Sequence, residues 1–135
     1  MKVVLDTNVL IAAFATQGLC HSVFEVCIDQ HEILISEQIL SELASNMERK
    51  LKVPSSVVGD TVQFLRDHSS LHKVGKLSKR ISRDASDDHI LSLADGAKAD
   101  YIITGDQDLL ILKKYGKIPI ILPRSYWEIL RKKKR

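Results

Sequence analysis

VVLDTNVL, residues 3–10, places an aspartate, a threonine and an asparagine between two apolar runs. The segment from Lys2 to Leu5 is a short β-branched run that ends at polar residues, which predicts a buried strand. A carboxylate at the end of such a strand is costly to desolvate unless something compensates for its charge. Asp6 is therefore the first candidate for a functional acid. The alternative is a structural role, in which Asp6 caps a helix that starts near Asn8 or Val9.

Strands and helices alternate along the rest of the chain. Apolar spacing and cap residues predict helices at 21–30, from Ser36, from Pro54, from Ser86 to near Gly96, at 108–114 and at 126–130, with strands at 32–35, 101–104 and 118–122. This alternation predicts an α/β fold, a single three-layer α/β/α domain with a central parallel sheet. Ligands bind at the carboxyl ends of such strands, and both Asp6 and Asp106 follow predicted strands.

Length and composition limit the classes of protein that fit. The 135 residues are 44% hydrophobic, as expected for one globular domain, which we place at residues 1–130 with a basic tail at 131–135. No run approaches the roughly 18 apolar residues of a membrane-spanning helix, and Asp6 and Asn8 interrupt the first apolar stretch. We therefore expect a cytoplasmic protein with no membrane contact.

Several other acids are candidates, although each also has a structural explanation. Glu42 flanks the apolar row of a predicted helix and could be an ordinary surface residue. Asp87 and Asp88 fall in the first turn of a predicted helix, where the dipole stabilises a carboxylate by about 0.3 to 1 kcal/mol. In GDQD, residues 105–108, Asp108 can cap the next helix, whereas Asp106 is closer to the strand end and is the better ligand candidate.

Taken together, these acids lie in motifs that resemble a known family. The motifs are DTN at residues 6–8, SEQILSEL at 36–43, DDHILSLA at 87–94 and IITGDQDLL at 102–110. Over nearly the whole chain they resemble the PIN-domain family, in particular the VapC-like toxins of toxin–antitoxin pairs. The resemblance implies a compact α/β/α fold, ribonuclease activity that depends on Mg²⁺ or Mn²⁺, a possible antitoxin partner and a homodimer.

The resemblance also implies roles for particular residues. The catalytic and metal-binding acids would be Asp6, Glu42, Asp88 and Asp106, with Asn8, Ser36 and Thr104 as polar supports. The adjacent Asp87 is an alternative to Asp88, which we favour because its distance from Asp106 matches the family spacing. Asp87 and Asp108 are then expected to support the site.

Four carboxylates in one crevice require a counter-charge. At about 4 Å, each like-charged pair costs on the order of 4 kcal/mol at an effective dielectric constant near 20. A donor set made only of oxygen atoms favours one or two hard ions, Mg²⁺ or Mn²⁺, over zinc. Such ions would bind the scissile phosphate and activate water, so that hydrolysis leaves a 5′-phosphate and a 3′-hydroxyl with no protein nucleophile.

The remaining charges favour a polyanionic substrate. The net charge is +3, and setting aside four of the 17 acids leaves 20 basic side chains against 13 acidic ones. The basic residues include a cluster before Asp87 and a second group after Glu48: Lys73, Lys76, Lys79, Arg80 and Arg83, and Arg49, Lys50 and Lys52. We expect the first cluster to bind RNA, and the second group adds to the basic surface around the acids. The aromatic content of 5% makes base stacking a minor source of affinity.

Other interpretations use some of the same residues. A haloacid-dehalogenase-like phosphatase also opens with a strand and an aspartate, but it expects an acid at the position of Asn8. A Toprim-like domain would account for Asp106 and Asp108, but it expects an upstream glutamate at a glycine-associated strand end. A PIN domain that binds metal and RNA or a protein partner without cleavage is the third alternative, because an intact set of acids does not prove catalysis.

Overall fold

A central six-stranded sheet organises the protein. The structure is a computed structural model that describes residues 1–74 and 87–133. The strands are β1 (Lys2–Leu5), β2 (Glu32–Ile35), β3 (Ser70–Leu71), β4 (Tyr101–Ile103), β5 (Lys114–Tyr115) and β6 (Ile118–Ile121). Their order across the sheet is β3-β2-β1-β4-β6-β5, and every neighbouring pair is parallel except β5 with β6.

Helices connect and cover these strands. They are α1 (Thr7–Ala15), α2 (Leu19–Gln30), α3 (Glu37–Arg49), α4 (Ser55–His68), α5 (Asp88–Gly96), α6 (Gln107–Leu110) and α7 (Pro123–Lys133). Contacts link α1 to α2 and α3, α3 to α4, and α2 to α7, whereas α5 packs on β1 and β2. The predicted α/β fold with a central, mainly parallel sheet is confirmed.

Strands β1 and β2 lie at the centre of the core. Val3, Val4 and Leu5 of β1 are at most 1% exposed, and the last three residues of β2 are buried to the same degree. Continuous apolar runs of this kind are typical of parallel strands covered on both faces. The end of β1 is therefore held in place by close packing, and the residue that follows it is positioned with little freedom.

The order of the strands creates a crevice beside β1. The chain runs from β1 to β2 and β3 on one side, and then crosses to β4 on the other side of β1. Because crossovers between parallel strands are right-handed, this reversal places α5 on the opposite face of the sheet from α1–α4. The carboxyl ends of β1 and β4 are thus adjacent, at the kind of switch point where α/β proteins bind ligands.

Some predicted boundaries are wrong. The helix expected at 108–114 is only α6, and the chain then forms the β5–β6 hairpin, in which Gly116 has a φ of +59°. Helix α7 begins at Pro123 and continues to Lys133, so part of the predicted tail is helical. The predicted Ser36 cap is confirmed, since its hydroxyl accepts a hydrogen bond from the Ile39 N–H at 3.2 Å.

Among the helices in residues 1–74 and 87–133, none is by itself long and apolar enough to cross a bilayer. Helices α1 and α2 together have sufficient length and apolar character, but they are bent by 103° at their junction.

Candidate active site

The carboxyl ends of β1 and β4 open into a polar cavity of about 200 Å³. The residues that line it come from four separate segments of the chain: Asp6, Thr7, Asn8, Glu42, Asn46, Lys50, Asp87, His89, Ile90 and Asp106. Four of these side chains are carboxylates, which the fold gathers from the ends of β1 and β4, from α3 and from the start of α5. The structure thus brings three of the candidate acids, Asp6, Glu42 and Asp106, into one cavity.

Asp6 is both a helix cap and a member of the acidic cavity. It is only 6% exposed, and its Oδ1 accepts a hydrogen bond from the Asn8 N–H at 2.7 Å, which caps α1. Its Oδ2 accepts a hydrogen bond from the Thr104 hydroxyl. The two interpretations offered by the sequence, capping and function, are therefore compatible.

Burial sets the electrostatics of Asp6. Desolvation raises the pKa of this carboxyl above its ordinary value, and this effect outweighs the lowering by the hydrogen bonds from Thr104 and Asn8. The negative charge of Asp106 raises the pKa further, whereas the nearby His89 lowers it. The protein thus holds a carboxylate whose charge is only partly compensated by the side chains around it.

Thr104 joins the two strand-end acids. It is fully buried, it donates its hydroxyl proton to Asp6, and its Oγ1 accepts a hydrogen bond from the Asp106 N–H at 3.0 Å. Asp106 in turn caps α6, because its Oδ1 accepts a hydrogen bond from the Asp108 N–H at 2.9 Å. One hydroxyl therefore fixes the relative positions of the acids that follow β1 and β4.

Glu42 is held by a histidine that the sequence did not single out. His89 Nε2 lies 2.8 Å from Glu42 Oε1, and the histidine side chain is 9% exposed. The contact joins α3 to the first turn of α5 across the cavity. The available signal was the position of His89 directly after the two adjacent aspartates, which places it in the same helical turn.

The two adjacent aspartates differ in their position relative to the cavity, and the preferred Asp88 is the one outside it. Asp87 lines the cavity and Asp88 does not. Asp87 occupies the cap position of α5 whereas Asp88 is its first helical residue, and successive helical residues project about 100° apart around the axis. The exact start of the helix therefore decides which carboxylate enters the site.

The donor set fits a hard divalent cation. Asp87, Asp106 and Asp108 each offer a carboxylate oxygen, and the three oxygens lie within 4.8 Å of one another. Asp6 and Glu42 line the same cavity and are held there by Thr104 and His89. Asp108, predicted as a supporting residue, thus belongs to the acidic group, and oxygen donors this close together suit Mg²⁺ or Mn²⁺.

Other predicted residues have more varied positions. Ser36 is buried and caps the first turn of α3, the helix that carries Glu42, and it does not line the cavity. Asn8 lines the cavity from the start of α1. Lys73 is exposed just after β3. The other members of the predicted basic cluster lie outside the described residues: Lys76, Lys79, Arg80 and Arg83.

Two further lining residues were not predicted to belong to the site. Asn46 and Lys50 lie four and eight positions after Glu42, and both reach the cavity. Residues spaced by four lie on one face of a helix, so the signal was present in the sequence once Glu42 was chosen. From the sequence alone, Lys50 belongs only to the general basic surface.

Comparison with known proteins identifies the family. A family model described as the PIN domain matches residues 2–108, which contain all the acids of the cavity. The chain belongs to the PIN-domain family. Asp6, Glu42, Asp87 and Asp106 all lie within the residues that the PIN-domain model matches. No curated protein sequence matches the chain.

Solved structures agree with the PIN-domain fold. The chain is similar to a protein in the crystal structure of VapBC2 from Rickettsia felis bound to a DNA fragment from their promoter, with a TM-score of 0.65 and 15% identity over 90% of this chain and 98% of that one. It is also similar to VapC20 of Mycobacterium tuberculosis, a sarcin–ricin loop cleaving toxin, with a TM-score of 0.60 and 11% identity over 87% and 98% of the two chains. At these identities the likeness shows the shared fold.

Proposed function

We propose that this PIN domain is an endoribonuclease that uses Mg²⁺ or Mn²⁺, and that it is the toxin of a toxin–antitoxin pair. The observation that carries the proposal is the convergence of Asp6, Glu42, Asp87 and Asp106 on one polar cavity. The match to the PIN domain and the fold shared with VapC proteins support the same conclusion. The proposal includes a cytoplasmic location, an antitoxin partner and a homodimer.

Each residue of the cavity has a distinct part in this proposal. Asp6, Asp87 and Asp106 would hold one or two cations, with Glu42 as a further ligand, and Asp108 would support them. Thr104 would keep Asp6 and Asp106 at a fixed separation, and His89 would hold the Glu42 carboxylate toward the cavity. A divalent cation bound there would supply positive charge to the phosphodiester and a more acidic water molecule.

The reaction needs no protein nucleophile. Water would add to the phosphorus atom and the bond from phosphorus to the 3′-oxygen would break, which leaves a 5′-phosphate and a 3′-hydroxyl. The ribose 2′-hydroxyl takes no part in the bond changes. The acids would hold the cation in position, and its positive charge would offset the negative charge that develops on the phosphate oxygens.

The central test is cleavage of RNA by the purified protein. Single-stranded and structured RNA would be incubated with Mn²⁺, with Mg²⁺ and with EDTA, and the ends of the fragments would be mapped. We expect fragments with 5′-phosphates that require the metal and disappear in Asp6→Asn. RNA that is bound but stays intact under every condition would indicate a PIN domain that binds without cleavage.

A second comparison tests which adjacent aspartate acts in the site. Asp87→Asn should reduce cleavage by about 100-fold or more, as expected for loss of a group that holds the cation. Asp88→Asn should change it by less than about threefold, because this side chain does not line the cavity. The reverse result would restore the assignment to Asp88.

A further inference from the structure

The wall of the cavity formed by α3 differs from the opposite wall. On α3, the residues that follow Glu42 around the cavity are Asn46 and Lys50, an amide and an ammonium group. The start of α5 contributes Asp87 and His89, and Asp106 comes from the start of α6, with Asp108 close to both aspartates. The cavity is therefore acidic toward α5 and α6, and it becomes neutral and then basic along α3.

The α3 wall is a continuous strip that leads out of the cavity. Glu42, Asn46 and Lys50 are four residues apart, so they lie on one face of the helix. Lys50, the C-cap residue, lies about 12 Å along the helix axis from Glu42. Lys50 is exposed to solvent and Asn46 is half-buried, so both polar groups are accessible to a ligand that enters the site.

Neither of these side chains is engaged within the described part of the protein. In residues 1–74 and 87–133, the side chains of Asn46 and Lys50 form no hydrogen bond or ion pair. By contrast, Glu37 near the other end of α3 is paired with Arg66. A lysine at the rim of an acidic cavity, with no carboxylate partner among the described residues, is suited to an anion that arrives from solution.

We propose that Asn46 and Lys50 form a subsite for a backbone phosphate of RNA next to the phosphate that is cleaved. Lys50 binds this phosphate as a point charge, and the Asn46 amide donates a hydrogen bond to a phosphate oxygen or a ribose hydroxyl. The RNA strand then leaves the cavity along α3, away from the repulsive charge of Asp108. The subsite rests on the proposed function, because it deepens the description of the same site.

The test compares Lys50→Gln with Arg49→Gln. Both variants lose one positive charge at the same end of α3, but Arg49 does not line the cavity. In steady-state cleavage of a short single-stranded RNA with Mn²⁺, Lys50→Gln should raise KM by about fivefold to tenfold and change kcat by less than about threefold. Arg49→Gln should leave both constants within about twofold.

Salt dependence provides a readout that a purely structural role would not change. Loss of one phosphate contact should reduce the slope of log affinity against log salt concentration by about 0.7, the contribution of one charge on a single strand. Lys50→Arg should restore the slope and most of the affinity. The rise of Tm on addition of Mn²⁺ should be the same in Lys50→Gln as in the wild type, because the cation site is intact.

Three outcomes would overturn the subsite. The first is a lower kcat in Lys50→Gln with unchanged KM and salt slope, which would mean that Lys50 acts on the carboxylates. The second is an equal effect of Arg49→Gln, which would mean that only the net charge matters. The third is unchanged RNA affinity in Lys50→Gln, measured by fluorescence anisotropy with the RNA alone and with Mn²⁺.

The anisotropy measurement also separates this subsite from the proposed function. If the wild type cleaves no RNA but binds it, the nuclease proposal fails. A weaker complex with Lys50→Gln and a normal one with Arg49→Gln would still support the subsite. If the wild type cleaves RNA but the two variants behave alike, the nuclease proposal stands and the subsite fails.

Discussion

The two ends of the central sheet carry charged residues in very different ways. At the amino end, a shallow cleft is lined by Met1 and His31 and by four charged residues, Lys2, Glu32, Lys98 and Asp100. Charges of both signs are mixed there, all four of these residues are exposed, and Asp100 Oδ2 accepts a hydrogen bond from the Lys2 N–H at 2.8 Å. At the carboxyl end, four acids share one cavity and Asp6 is buried.

The difference shows how the fold marks its functional end. The acids at the amino end are exposed to solvent, and Asp100 also accepts a hydrogen bond from the Lys2 N–H, so they need no further partner. At the carboxyl end the acids gather on one cavity, and the burial of Asp6 makes its charge unfavourable in the protein alone. A parallel sheet with a switch point brings such groups together only where the strands end, which makes that end the place for a cation.

The largest expected effect is the loss of RNA cleavage when an acid is removed at the carboxyl end of the sheet, and the control removes an acid at the amino end. Asp106→Asn should reduce metal-dependent RNA cleavage by about 100-fold or more, because it removes a group proposed to hold the cation. Asp100→Asn changes the same atoms at the opposite end of the sheet. Its activity should stay within about twofold of the wild type, because asparagine can still accept the hydrogen bond from Lys2.

The two variants should be compared at several concentrations of Mn²⁺, with folding checked by circular dichroism. Equal loss of activity in both would contradict the contrast between the two ends of the sheet. Full activity in Asp106→Asn would exclude this residue from the cation site.

The next largest effect concerns the hydroxyl that joins the two strand-end acids. Thr104→Val keeps the shape of the side chain but removes its hydrogen bonds to Asp6 and Asp106. We expect cleavage to fall by about 10-fold to 100-fold, the usual cost of losing a group that orients metal ligands. Thr104→Ser retains the hydroxyl and should recover most of the activity.

The useful measurement is the dependence of the cleavage rate on Mn²⁺ concentration. If Thr104 positions the acids, Thr104→Val should need more metal for half-maximal rate while Thr104→Ser stays close to the wild type. A loss of activity with no change in metal dependence would argue against a positioning role.

Much of this contrast could be predicted from the sequence. Buried β-branched runs identified β1 and β4, and polar residues directly after them located Asp6 and Asp106 at one edge of the sheet. Such residues are fixed by the strand that precedes them. Their chemistry can therefore be read from local pattern and from the order of strands and helices.

Residues on helices were harder to place. Asp87 and Asp88 have the same chemistry, and only the first residue of α5 decides between them. The position of His89 directly after the two aspartates puts it in the right turn of α5, but its contact with Glu42 joins two distant segments and is not encoded by local pattern. The sequence does not predict the β5–β6 hairpin, because the apolar residues near Leu110 fit a longer helix and Gly116 fits a simple break before the last strand.

A smaller effect is expected on stability in the absence of metal. Burial raises the pKa of Asp6, so the folded protein binds this proton more tightly than the unfolded chain does. The ionised carboxylate thus destabilises the folded state at neutral pH. In EDTA at pH 7, Asp6→Asn should therefore raise the free energy of unfolding by about 1 kcal/mol while it abolishes activity.

The pH dependence of this difference in the free energy of unfolding tests whether the charge of Asp6 causes it. As the pH falls from above the raised pKa of Asp6 toward its ordinary value of 3.8, the wild-type carboxylate takes up its proton and the penalty disappears. The advantage of Asp6→Asn should shrink over that range in denaturant titrations. An advantage that stays constant or grows at lower pH would show that the charge of Asp6 is not its origin.

The smallest expected effect is that of Glu37, whose charge is already compensated. Its carboxylate accepts hydrogen bonds from both terminal nitrogens of Arg66, at 2.6 and 2.8 Å, in full contact with solvent. These hydrogen bonds, together with the charge of Arg66, hold its pKa below the ordinary value, so any stabilisation is present at neutral pH and is lost as the pH falls. Glu37→Gln should lower Tm by about 1 °C or less, and the difference should vanish in high salt.

Glu37 and Asp6 should therefore show opposite pH dependence of stability, because Glu37 has its cation within the protein and Asp6 requires a cation from solution. The same sign in both titrations would remove the electrostatic reason for placing a metal beside Asp6.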